Sequence, residues 1–175
     1  MPLGTQEQLQ AWGTDANCYA YAVNCLNPVN GRNGGAVPGS QAAFAGHPAP
    51  GGATLAQKVV ADGGGVVVQL AGTTVNAPAD VPGHYVIAML SHQAGFHFIR
   101  RDSYTGRWSW KDGNTGSVKF NVLDQPSSKY IYIHDAHLND LLVARPADFF
   151  PWGYANMAFA AYFRVPNGGV MARGR

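Results

Sequence analysis

Cys18 lies in the run Asn17-Cys18-Tyr19-Ala20-Tyr21-Ala22-Val23-Asn24, just after the turn-forming residues Gly13, Thr14 and Asp15. The alanines, tyrosines and Val23 suit a helix, and Asn27-Pro28 ends it. The sequence therefore predicts a helix over 17–27 with Cys18 in its first turn. Backbone N–H groups and the helix dipole favour an anion there, and the thiolate is the reactive form of cysteine. The position predicts a lowered thiol pKa and faster alkylation than at Cys25. A cysteine is also commonly a small buried hydrophobe, so its chemistry depends on a base.

Six histidines can supply one: His47, His84, His92, His97, His134 and His137. Sequence distance excludes none of them, because the base meets the thiol in space. His47 and His92 stand in loop contexts. His134, Asp135 and His137 raise a metal reading, but their spacing is loose and no second ligand cluster accompanies them, so neither a metal nor a cofactor is expected. His84 and His97 each open a strand-like run, where a histidine can face a helix packed on the sheet. If Asp102 pairs with Arg107 in a hairpin, Ile99 falls opposite Trp110 and His97 opposite Asp112. Opposed Cβ atoms are roughly 5 Å apart, so Asp112 can orient His97 in a nucleophile–base–orienter set. A one-residue slip would undo this. Asp135, closing a strand over 130–133, is the rival orienter.

These residues need a scaffold. Thr54 caps a helix over 55–61, with Gly63 at its end. A short helix over 40–44 and a helical turn around 6–12 are also expected. From residue 66 the pattern becomes strand-like: 66–70, 84–90, 96–102, 107–111, 119–122, 130–133 and 156–165, with a short helix over 137–143. The 22 glycines and 11 prolines supply the turns such strands require. Helices first and an antiparallel sheet afterwards make an α+β arrangement. The 175 residues suit a single domain, 1–175, with a core over about 12–166.

A net charge of +2 with no basic run argues against nucleic-acid or membrane partners. No apolar segment approaches the ~20 residues that span a bilayer. The start of the chain lacks the pattern of a signal peptide. On one helix, Cys18 and Cys25 would be about 10 Å apart, beyond disulfide reach. A free thiol fits the cytoplasm, or export by a system that needs no signal peptide.

The run Asn17-Cys18-Tyr19-Ala20-Tyr21-Ala22 resembles the cysteine motif of a family of bacterial papain-like, NlpC/P60-related cysteine hydrolases. Asn27-Pro28 and Pro38-Gly39 are similar to the loop that follows it there. Phe96-His97-Phe98-Ile99-Arg100-Arg101-Asp102 and Gly106-Arg107-Trp108-Ser109 resemble its histidine strand. Ala160-Ala161-Tyr162-Phe163-Arg164-Val165-Pro166 resembles its last strand. In that family Trp-Ser is followed by His-Lys-Pro-Gly, where this chain has Trp110-Lys111-Asp112-Gly113. The resemblance implies a papain-like fold with its cysteine helix on an antiparallel sheet. It implies Cys18 as nucleophile and His97 as base, with His84 the alternative. Ile133-His134-Asp135 matches a family segment, which places Asp135 slightly ahead of Asp112 as the acid.

The expected chemistry is amide hydrolysis of a peptide or protein substrate by a monomer, through a thioester on Cys18. The Cys18 backbone N–H is the expected oxyanion donor, and Asn17 a second. Deamidation of a target protein's glutamine or asparagine by an exported effector or toxin is the first alternative. A non-catalytic binding module on the same fold is the other.

Overall fold

The computed structural model describes residues 12, 16–26, 28, 35–41, 54–71, 75–92, 95–102, 105–113, 118–124, 128–149 and 157–173. His47, the turn around Gln6 and most of the helix expected over 40–44 lie outside the described residues. Three α-helices are described, α1 (Cys18–Ala22), α2 (Leu55–Asp62) and α3 (Pro146–Phe149). The strands are β1 (Val68–Leu70), β2 (His84–His92), β3 (Gly95–Arg101), β4 (Trp108–Lys111), β5 (Val118–Lys119), β6 (Asn121–Asp124), β7 (Lys129–Tyr132) and β8 (Ala158–Pro166). Between β7 and α3 lie a 3₁₀ turn, Asp135–His137, and a π-type turn, Asp140–Ala144. Among the described residues no helix is long and apolar enough to cross a membrane.

Strands β1-β8-β2-β3-β4-β5 form one antiparallel sheet, and β6-β7 form a separate hairpin. The fold is thus α+β, as expected. Strand β2 is apolar at both parities, and all of 85–90 is buried, which is the pattern of a strand covered on both faces. Tyr85, Ile87 and Met89 face one core with Phe98, Phe163, Tyr19 and Val59. Val86, Ala88 and Leu90 face the other with Ile99, Trp108, Trp110 and Leu141. The N-terminal helices cover the first face, and the turns after β7 cover the second.

The expected strands recur with shifted ends, but the one expected over 119–122 is split between β5 and β6, which lie in different sheets. Thr54 and Gln57 cap α2 reciprocally, Gln57 N donating to Thr54 Oγ1 at 3.3 Å and Thr54 N to Gln57 Oε1 at 2.8 Å, the two-way bond of a capping box. The helix expected over 137–143 is instead the pair of tighter and wider turns. The cysteine helix is far shorter than 17–27. Asn24 adopts φ +58°, and Cys25 N donates to Ala20 O at 2.8 Å while Asn24 N donates to Tyr21 O at 3.1 Å. That 6→1 and 5→2 pair with a left-handed asparagine is a Schellman stop. Cys25 therefore lies beyond the helix, and both cysteines remain thiols.

Candidate active site

The start of α1 is built by Asn17. Its Oδ1 accepts the Ala20 N–H at 3.1 Å, and its Nδ2 donates to Ala36 O at 2.8 Å. The first bond caps the helix; the second ties it to the 35–41 segment. With its carboxamide engaged at both ends, Asn17 serves as the helix cap, and one Nδ2–H is committed to Ala36 O.

Two contacts fix how α1 lies on the sheet. Tyr21 and Ser109 share a 2.7 Å hydroxyl hydrogen bond, and Arg100 Nη1 donates to Tyr21 O at 3.2 Å. Arg100 and Ser109 are themselves cross-strand partners on β3 and β4. Cys18 precedes Tyr21 by one helical turn, about 4.5 Å. The next same-face pair of the ladder is Phe98 and Lys111, about 6.6 Å along the strands. By that registry Cys18 falls over this pair, and the backbone N–H groups of Phe98, Tyr19 and Cys18 itself favour its anion.

Burial dominates the thiol. Cys18 is 5% exposed, and loss of solvent pushes its pKa up to about 12, with the N–H groups pulling the other way and Asp112 adding to the rise. The lowered pKa expected from the helix start is thus reversed: three donors do not replace the hydration that the buried thiolate would lose.

His97 has no exposed surface, and burial lowers its pKa to about 4 against the upward pull of Asp112. Lys119 adds to the lowering. Imidazole and thiol are both neutral in this closed form. The hairpin register is the one expected: Asp102 N donates to Arg107 O at 2.8 Å and Ile99 pairs with Trp110. Continued by two residues, it sets His97 opposite Asp112. Asp112 is bound to Lys119, and its charge acts on both His97 and Cys18. Alternation nevertheless assigns His97 to the face of Leu90, its ladder partner, and of Ile99. Cys18 packs on the face of Phe98. The sulfur thus reaches the backbone beside His97, while the ring belongs to the reverse face.

Asp135 stands elsewhere. It accepts Trp108 Nε1 at 2.8 Å and pairs with Arg101 Nη2 at 2.7 Å. Arg101 is four residues from His97, about 13 Å along β3. The structure thus places Asp112, and not Asp135, beside His97, because the Asp135 carboxylate is delivered to the far end of the hairpin. His84 is also displaced as the alternative base. It opens β2 opposite Pro166, six residues or about 20 Å from the Leu90 that pairs with His97. Its Nδ1 meets Pro82 O at 3.2 Å. His137 Nδ1 accepts the His134 N–H at 3.0 Å. Among the described residues no three His, Cys, Asp or Glu side chains gather as metal ligands.

No family model, curated protein or solved structure matches the chain. The chemistry of the site is that of its own groups: a thiol whose anion is favoured by backbone N–H groups, an imidazole on the next residue of the strand, a carboxylate whose charge reaches both, and a buried lysine. Lys111 was given no role from the sequence. Its signal was parity: it follows Ser109 by two on the strand whose partners face α1.

Proposed function

We propose that the protein is a Cys18-dependent amide hydrolase acting on a peptide or protein, with a papain-like arrangement of cysteine helix and sheet. The feature that supports this best is a cysteine at a helix start whose anion is favoured by the backbone N–H groups of Phe98, Tyr19 and Cys18. Such donors lower the energy of a sulfur anion as it forms.

Cys18 attacks the carbonyl carbon while neutral His97, turned toward it, takes the thiol proton. The resulting imidazolium protonates the leaving amine, and water hydrolyses the thioester. Asp112 orients His97 and stabilises its charged form. The Cys18 backbone N–H donates to the developing oxyanion. With the ring on the reverse face, this chemistry requires the end of β3 to move so that His97 meets the sulfur. Substrate entering between α1 and the β3–β4 hairpin would supply that motion and readmit solvent to both groups.

The burial of both Cys18 and His97 favours a second reading, a non-catalytic binding module in which they are packing residues. One experiment separates the two. The native protein is incubated with peptide amides, glutamine-bearing proteins and cell-wall peptides, and amine and ammonia release are measured beside Cys18→Ala. Turnover that vanishes in Cys18→Ala, with an acyl adduct on Cys18 by mass spectrometry, supports hydrolysis. Neither turnover nor adduct across the panel supports the binding module. Ammonia as the sole product would assign deamidation.

A further inference from the structure

Lys111 is a lysine with no exposed surface. An ammonium is rarely buried without a compensating charge. Its Nζ donates to Gly113 O at 3.0 Å, a carbonyl that carries no charge. The charges acting on it are those of Cys18 and Asp112, and the second is bound to Lys119.

The docking of α1 explains why Lys111 meets the cysteine. Tyr21 sits on the Arg100–Ser109 pair. One turn earlier in the helix and one same-face step along the ladder, Cys18 falls over Phe98 and Lys111. Ser109 and Lys111 share the helix-side face, and His97 and Asp112 share the other. Lys111 is therefore a basic side chain on the sulfur's own face, one same-face step along the ladder from Arg100, which is taken up by Tyr21.

We propose that Lys111 is a positioning residue for Cys18: its ammonium stabilises the Cys18 thiolate as the proton leaves, so that the charge pair formed in that step is net-neutral. The pair resolves a conflict in the site. Burial penalises a lone thiolate and a lone ammonium alike, raising the thiol and lowering the lysine. Together the two charges offset each other at short range. Among the described residues, the remaining charged or titratable groups around the pair are Asp112 with Lys119, His97 on the reverse face, Arg100 under Tyr21, and Tyr19 bound to Asp62. This role deepens the reading of Cys18 as a nucleophile and rests on it for its use, but it is measured without turnover.

The test is the rate of iodoacetamide modification of Cys18 across pH 6–10 in the full chain, resolved from Cys25 by mass spectrometry. Wild type is compared with Lys111→Met and Lys111→Arg. Methionine matches the lysine stem without its charge, and arginine restores the charge. An opposite charge within a few ångströms moves a pKa by about 1–3 units. Lys111→Met should therefore shift the rate profile about one unit or more to alkaline pH and slow Cys18 about tenfold at pH 8. Lys111→Arg should return most of the rate, and Cys25 should be unchanged in both. An unchanged Cys18 profile in Lys111→Met overturns the pair and leaves the hydrolase reading standing. If Lys111→Met loosens the fold, seen as faster Cys25 labelling, Lys111→Arg decides: a Cys18 rate near wild type at pH 8 supports the pair, and a rate as low as in Lys111→Met overturns it.

Discussion

The 2.7 Å hydrogen bond between Tyr21 and Ser109 joins the cysteine helix to the fourth strand and sets the registry of one on the other. A helix advances about 1.5 Å per residue and a strand about 3.3 Å. One fixed contact therefore determines which residues meet a turn away. By that registry Cys18 falls over Phe98 and Lys111, because Tyr21 meets Arg100 and Ser109. Tyr21→Phe removes the hydroxyl and leaves the buried Ser109 Oγ without this partner, which should cost about 1–2 kcal/mol. Urea unfolding measures it. A loss below a few tenths would mean that packing alone holds α1 in place.

In the closed protein Cys18 is a poor alkylation target. With its thiol pushed up to about 12 by burial, iodoacetamide at pH 7 should label it at least tenfold more slowly in the native chain than in urea. Equal rates would show that the site is open in solution.

His97 makes stability depend on acid. Its pKa is about 4 when folded and about 6.5 when unfolded. Between these values the unfolded chain binds the extra proton, so stability is intact above pH 6.5 and is lost as pH falls toward 4. The full loss from this group is about 3 kcal/mol. In His97→Gln the urea midpoint should fall less steeply over that interval. Identical slopes in the two proteins would place the acid sensitivity elsewhere.

The two acids should separate by what they damage. Asp112→Asn should lower turnover and leave the urea midpoint nearly unchanged, since it removes the charge facing His97. Asp135→Asn should leave turnover near wild type and cost about 1 kcal/mol, because its partly exposed carboxylate holds Trp108 and Arg101. A large rate loss confined to Asp135→Asn would restore Asp135 as the orienter.

Asn17 should behave as a cap. Asn17→Ala should cost about 1–2 kcal/mol of stability, and Asn17→Asp, which keeps the acceptor, should cost less. An oxyanion donor would instead lower kcat by about 10²–10³ when removed. A rate loss of that size in a stable Asn17→Ala protein would contradict the assignment.

The chain's local patterns fixed several features without any coordinates. Thr54 announced the α2 cap, because an N-cap bond is made within one turn. The pairing of Asp102 with Arg107, and hence Ile99 with Trp110, followed from one short hairpin whose strands have few competing registers. Asn17 before Cys18 marked the helix start for the same local reason. The helix end was also written locally, in Asn24, but asparagine's tolerance of a left-handed backbone is optional and was not predicted.

Only the tertiary structure decided the rest. Burial outweighed the helix start at Cys18, because desolvation depends on how many groups surround the sulfur and these come from distant strands. The choice between Asp112 and Asp135 turned on where β7 delivers a carboxylate, which no spacing within 130–135 encodes. The sheet face of His97 against that of Lys111 is plain parity along two strands. It gained meaning only once Tyr21 and Ser109 showed which face the helix covers.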